Sequence, residues 1–499
     1  MTVAQRLRGY AYGMQQPVLI QGGMGVAVSG WRLARAVSSR GELGVVSGTA
    51  LDVVLTRRLQ LGDPHGDIRR ALDRFPDRAV ARDVLARFFV PGGIARTTAF
   101  KSLPMFSAAP APHLHALAVV AGFAEVFLAK EGHAGLVGIN FLEKVQLPTS
   151  PTLYGALLAG VDYVLVGAGI PRDFPAMIDA LQQHQPVALP LHVTGMQAGE
   201  RFDLCFDPSQ VLALAAPPPL RRPRFLAIVS SATLAVSLAR HGGVDGFVVE
   251  AHHAGGHNAP PRGAMTLTPE GEPAYGPRDV VDISRIRGLG LPFWIAGSCA
   301  SPEGMEQARA QGAAGIQVGT LFAFCEESGI DSDLRARVFD RVRARTARVV
   351  TEPLASPTGF PFKVLQLAQT LSEPEVYAAR TRRCDLGYLR ETYRRTDGSL
   401  GYRCPGEPSE DYVRKGGRLE DTYGRKCLCN GLAATVGFGQ RRDDGVEPAI
   451  LTSGISLPEI EQFLRGEARD YGASEVVEYL TRESCAIDRR RAVAGEAIG

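Results

Sequence analysis

Short apolar runs recur between Val18 and Val318, each followed by glycine or a polar loop. They are Val18–Ile20, Leu43–Val46, Leu136–Ile139, Val161–Val166, Val187–Leu191, Phe225–Val229, Val244–Val249, Pro292–Ile295 and Ala314–Val318. Runs without polar alternation suit strands buried on both faces, as in a parallel sheet. Stretches of helical period follow several of them, such as Ser231–Arg240 and Pro302–Gln311. Strand and helix in alternation predict an α/β fold. One run too many is present for an eight-stranded barrel. Val187–Leu191 is the accessory, because Pro190 cannot donate to a central ladder.

The alternation breaks twice. Residues 51–135 separate the second run from the third, more than a crossover needs, and predict an inserted helical lobe over the strand ends. Near Glu373 the rhythm stops. The expected division is a barrel over 1–372 and a cysteine-bearing, irregular and helical C-terminal extension over 373–499. Within the extension, amphipathic helices are expected near Leu457–Arg465 and Ser474–Leu480.

Composition changes this picture little. With 499 residues the chain can hold one large barrel and additions, and a net charge of +3 gives no reason to expect nucleic acid or an anionic membrane as partner. No uninterrupted apolar run reaches roughly 18 residues, so no spanning helix is expected. Met1–Arg8 lacks an apolar signal core, which leads to a cytoplasmic expectation. A homodimer is the oligomer to test for.

The chemistry concentrates where strands end. Val248–Glu250 leads into Ala254-Gly255-Gly256-His257. Paired glycines allow close approach of a backbone to a bulky anion, and a histidine exchanges protons near neutral pH. Ala296-Gly297-Ser298 and Val318-Gly319-Thr320 repeat the glycine and hydroxyl pattern, together describing a phosphate site. Gln21-Gly22-Gly23-Met24-Gly25 offers open backbone and a soft apolar contact for a flat ring. Asn140, Gly167 and Ser231 end or follow other strands on the same side, the side on which parallel barrels place their sites. His252, His253 and His257 have no acidic companions, so no metal is expected there. Cys384, Cys404, Cys427 and Cys429 are spaced C-x19-C-x22-C-x-C, unlike zinc knuckles, and are expected to be buried thiols that the chemistry does not need.

The ordered set Ile20–Met24, Gly138–Asn140, Ala254–His257, Ala296–Ser298, Gly315–Thr320, Glu326–Ser328 and Thr358–Val364 resembles the nitronate monooxygenase family, which also takes in FMN-dependent enoyl reductases of fatty acid and polyketide synthases. The resemblance covers roughly residues 10–370. It implies a (β/α)8 TIM barrel holding FMN at the C-terminal strand ends. By position, Gly22, Gly23 and Met24 would lie along the flavin ring and Asn140 would hydrogen-bond it. Gly255, Gly256, Gly297, Ser298, Gly319 and Thr320 would hold the phosphate, and His257 would be the catalytic histidine. Gly167 and Ser231 join the cofactor set. Arg262, in the long segment after His257, would meet an anionic substrate. The expected activity is oxidation of a carbanion-like or nitronate-type small molecule by O2. The alternatives are an NAD(P)H-dependent enoyl reductase of a carrier- or CoA-bound acyl chain, and a non-catalytic flavin-binding subunit.

Overall fold

A computed structural model describes residues 16–213, 216–464 and 470–482. Met1–Arg8 and Arg465, the last residue of one expected helix, lie outside them. The eight retained runs form the strands β1 (Leu19–Gln21), β2 (Gly44–Ser47), β3 (Val137–Leu142), β4 (Tyr163–Gly167), β5 (Arg224–Val229), β6 (Gly246–Glu250), β7 (Phe293–Ala296) and β8 (Gly315–Val318). All neighbours pair in parallel, from β2 through β3 to β8 and on to β1. A parallel bridge from Ile20 to Leu43 joins β1 to the start of β2 and completes the ring. The fold is therefore an α/β barrel of the TIM type. Val187–Pro190 pairs antiparallel with Asp203–Phe206, outside the barrel.

Alternation along each strand divides two cores. Ile20, Val45, Tyr163, Leu165, Leu226, Val248 and Trp294 fill the barrel interior. Leu19, Val46, Val164, Val166, Phe225, Phe247 and Ile316 point outward into the layer of helices. At the N-terminal end, Trp294 Nε1 donates to Pro17 O at 2.9 Å.

The segment after β2 contains α1 (Leu51–Gln60), α2 (Asp67–Leu72), α3 (Arg78–Phe88) and α4 (Pro112–Lys130). The last of these packs against α5 (Thr149–Leu158), the helix that follows β3. Gly122 and Gly155 make the close approach possible, because a Cβ on either would strike the partner helix at Thr152 O or Val119 O. By length and composition helix α4 is apolar enough to cross a membrane. Most of it is buried inside this protein, and a helix packed on several sides is apolar all round for that reason alone.

The C-terminal extension folds back over the barrel. Its helices α6 (Leu428–Thr435) and α7 (Ala473–Thr481) contribute Ala433, Val476 and Leu480 to the same core as the barrel's outer layer. The short strands β9 (Val349–Glu352) and β10 (Phe362–Leu365) form a hairpin at the C-terminal face. Leu457–Phe463, expected as an amphipathic helix, is a 3-10 helix.

Candidate active site

At the C-terminal ends of the strands lies a cavity of about 250 Å³. Its first wall is fixed from below by Gln21. The buried Gln21 amide accepts from Val45 N at 3.0 Å and donates to Ser29 Oγ at 2.8 Å. Ser29 Oγ in turn donates to Gly22 O at 2.8 Å and accepts from Met24 N at 2.9 Å. The loop Gly22–Met24 is thereby held along the cavity. Asn140 Nδ2 donates to Gly23 O at 3.2 Å, and any Cβ on Gly23 would collide with Asn140 Cβ. Glycine at 23 is required by that close approach.

Gly255, Gly256, Gly297, Ser298, Gly319 and Thr320 meet around the same cavity. Gly256 and Gly297 have φ of +79° and +94°, and Ser298 adopts +55°. A Cβ on Gly256 would meet nothing within 4 Å, whereas one on Gly255 would lie 2.9 Å from Gly454 N. The segment Thr452–Gly454 is a wall that sequence reasoning missed. Thr452 Oγ1 accepts from Gly256 N at 2.8 Å, and Thr320 Oγ1 accepts from Gly454 N at 3.0 Å. Hydroxyls and main-chain amides in glycine-lined space fit a phosphate.

His257 lines the cavity with its Nε2 2.7 Å from Ser356 Oγ and its ring edge-on to Phe362, 4.9 Å away. Its backbone bridges Phe362 at the start of β10. Burial, aided by the charge of Lys144, pushes the imidazole down to about 4, so it is neutral at pH 7. Glu250, the last residue of β6, also lines the cavity, and burial pushes its carboxyl up to about 7. Gln317 lines the cavity with a buried Oε1 that has no hydrogen-bond partner. That orphan acceptor fits a ring N–H. Both residues were overlooked, although Glu250 ends an apolar strand and Gln317 is the penultimate residue of another. His252 stacks on Tyr275 with ring centroids 4.0 Å apart, and His253 borders the cavity.

Gly167 also lines the cavity; Ser231 and Arg262 do not. Ser231 Oγ accepts from Leu234 N at 3.1 Å and caps the helix Ala232–His241. A serine after a strand is equally the first residue before a helix, and there the cap prevails. The Arg262 side chain donates to Ser230 O at 2.9 Å, and its backbone N donates to Asp279 at 2.7 Å. It ties its loop to the end of β5, away from the cavity lining.

The extension closes the opposite side with Tyr388, Leu389, Leu428, Cys429 and Leu432. Tyr388 donates its hydroxyl to Asp52 of α1, tying this wall to the segment after β2. Burial raises all four thiols of Cys384, Cys404, Cys427 and Cys429; neighbouring cysteines raise Cys404, Cys427 and Cys429 further, and Glu407 and Asp385 raise Cys384.

Residues 224–354 match the family model described as nitronate monooxygenase. A nitronate monooxygenase of Pseudomonas aeruginosa is 32% identical over 126 residues, covering 25% of this chain and 34% of that protein. This chain thus spans about a third of the length of the curated relative it matches. Among solved structures, FabK from Thermotoga maritima is 16% identical with a TM-score of 0.47, covering 96% of each chain. A nitroalkane oxidase from Streptomyces ansochromogenes is 16% identical with a TM-score of 0.45, covering 96% of this chain and 98% of that one. The similarity to the nitronate monooxygenase family thus falls on residues 224–354, strands β5 to β8 with β9.

Proposed function

We propose that this chain is an FMN-dependent oxidoreductase of the nitronate monooxygenase type, oxidising a small carbanion-like or nitronate substrate with O2. One observation carries it: a glycine and hydroxyl cradle, an orphan acceptor at Gln317 and a buried histidine wall a single cavity. When bound, FMN supplies the redox chemistry that the side chains lack. Gly255, Gly256, Gly297, Ser298, Gly319 and Thr320 would hold its phosphate, with Thr452–Gly454 behind them. Gly22, Gly23, Met24, Asn140, Gly167 and Gln317 would hold its ring. Neutral His257 would orient the substrate by a hydrogen bond, and Glu250, at about 7, is tuned to exchange a proton near neutral pH.

A second function draws support from the same numbers. An imidazole held near 4 is a weak base but a sound hydrogen-bonding group, and the leucines 389, 428 and 432 give the cavity an apolar side. Both features suit an NAD(P)H-dependent FMN enoyl reductase of a carrier- or CoA-bound acyl chain. Mass spectrometry of the released cofactor comes first; FAD, or no flavin after reconstitution, sinks both functions. Anaerobic stopped-flow then separates them. Bleaching of the flavin by a nitronate supports the first. Bleaching by NADPH, with recovery on adding an enoyl thioester, supports the second.

A further inference from the structure

The C-terminal extension carries a second set of reactive side chains that the flavin chemistry does not use. Cys384 lies in the loop before Tyr388, Cys404 follows the strand Leu400–Arg403, Cys427 immediately precedes α6 and Cys429 lies in its first turn. Far apart in sequence, these positions are drawn together by the bonds of their neighbours. Asn430 Nδ2 donates to Arg383 O at 3.4 Å and to Asp385 Oδ2 at 2.9 Å, fixing the Cys384 loop on the start of α6. Arg382, from the same loop, donates to Pro405 O at 3.3 Å and to Thr422 O at 2.8 Å. The turn after Cys404 faces the residue before Cys427: a Cβ on Gly406 would lie 3.4 Å from Lys426 O and 3.6 Å from Cys404 Sγ.

Main-chain N–H groups also lie near each sulfur. Gly387 is near Cys384, Gly406 near Cys404, Asn430 near Cys427, and Tyr388 and Leu389 near Cys429. Arg380, Arg390 and Arg425 bring positive charge to Cys427, Cys384 and Cys404 respectively. Cys404 and Cys427 are buried, and none of the four is in a disulfide. When a metal centre binds, cysteine sulfur ligates it as the thiolate, and amide and guanidinium groups beside the sulfur can then meet the ligand charge.

We propose that Cys384, Cys404, Cys427 and Cys429 hold an iron–sulfur cluster beside the cavity that Cys429 lines. Four cysteine thiolates are the usual ligand set of such clusters, and amide hydrogen bonds to the sulfurs stabilise them. Zinc is the competitor. A tetrahedral zinc site sets its sulfurs about 3.8 Å apart, given Zn–S bonds of about 2.3 Å. Among the described residues no three His, Cys, Asp or Glu side chains are placed to hold one metal ion. A cluster spreads its ligands wider, because several irons and sulfides lie between them. Nothing in this proposal depends on the flavin.

The test uses the full chain, produced with ample iron and purified without oxygen. Expected are iron with a matching amount of acid-labile sulfide, and a paramagnetic resonance signal in either the isolated or the dithionite-reduced state. Cys404→Ser and Cys427→Ser should each lose most of the iron, while Cys205→Ser, at an exposed thiol, should keep it. Zinc without sulfide overturns the proposal. So does absence of metal after anaerobic reconstitution of the unmodified chain with iron and sulfide, a measurement that stands even if the serine variants fail to fold. Iron retained in both serine variants overturns it as well.

Discussion

The rim of β6 to β8 and the extension facing it wall one cavity by opposite means. The rim works with backbone: Gly255, Gly256, Gly297 and Gly319 contribute space and amides, and a single added methyl on Gly255 would press on Gly454 N at 2.9 Å. The extension works with side chains. Arg380 pairs with Glu447 at 2.5 Å, Arg442 reaches the same carboxylate at 3.0 Å, and Lys426 pairs with Glu352 at 2.7 Å. Adding atoms should therefore damage the rim, and removing them should damage the extension. His257 stands between the two, its loop from the barrel and its partner Ser356 beyond it. Arg425, two residues before Cys427, donates to Ser356 O at 2.6 Å, so the cysteine region also braces that partner.

The largest effect should come from His257→Ala. Flavin should stay bound, since the cradle is made of other residues, while turnover falls by ~10²–10⁴ if the histidine acts on the reacting groups. That is roughly 3–5 kcal/mol of barrier. Steady-state kinetics at matched flavin content check it. An unchanged kcat and pH profile would remove His257 from the reaction and leave Glu250 as the group acting on the substrate.

Stability against pH should separate the same two groups. The folded imidazole of His257, at about 4, lies below its ordinary 6.5. Its proton is taken up more readily by the unfolded chain, so stability is lost as pH falls from 6.5 towards 4. The folded carboxyl of Glu250, at about 7, lies above its ordinary 4.5, so its contribution is lost as pH rises from 4.5 to 7. Each amounts to roughly 3 kcal/mol at most, at about 1.36 kcal/mol per pH unit, and they oppose each other. Urea titrations should show Glu250→Gln gaining on the unmodified protein as pH rises, and His257→Asn gaining as it falls. Parallel curves for all three proteins would refute both shifts.

The contact between rim and extension gives two smaller tests. Gly255→Ala should cost about 1–3 kcal/mol by overpacking and weaken flavin retention, measured by thermal unfolding and cofactor loss on dialysis. Tyr388→Phe leaves the buried Asp52 without its donor and should cost about 1–3 kcal/mol. A stability equal to that of the parent would mean that the tie does not hold the wall. The smallest effect belongs to Ser231→Ala, about 1 kcal/mol from loss of a helix cap, with flavin affinity unchanged by fluorescence titration.

The eight barrel strands were legible because burial on both faces writes them as unbroken apolar runs, and Pro190 marked the accessory correctly. The glycine and hydroxyl positions of the cradle were legible because turns and close approaches admit few residue types. Gln317 and Glu250 escaped notice because a polar residue at a strand end looks alike whether it faces a cavity or a loop. Ser231 misled for the same reason, its partner being the local helix it caps, and Arg262 because its partner Ser230 lies beyond another strand. The wall Thr452–Gly454 could not be seen at all, since it reaches Gly256 and Thr320 only by return of the chain across the barrel. The four cysteines show the difference most sharply. Their spacing matches no zinc knuckle, and only the bonds of Asn430 and Arg382 show which of their loops converge. Sequence determined which segments bury their backbone and where the backbone must be bare. Tertiary structure alone decided which distant side chains share a space, because that depends on loop closure and packing summed over the whole chain.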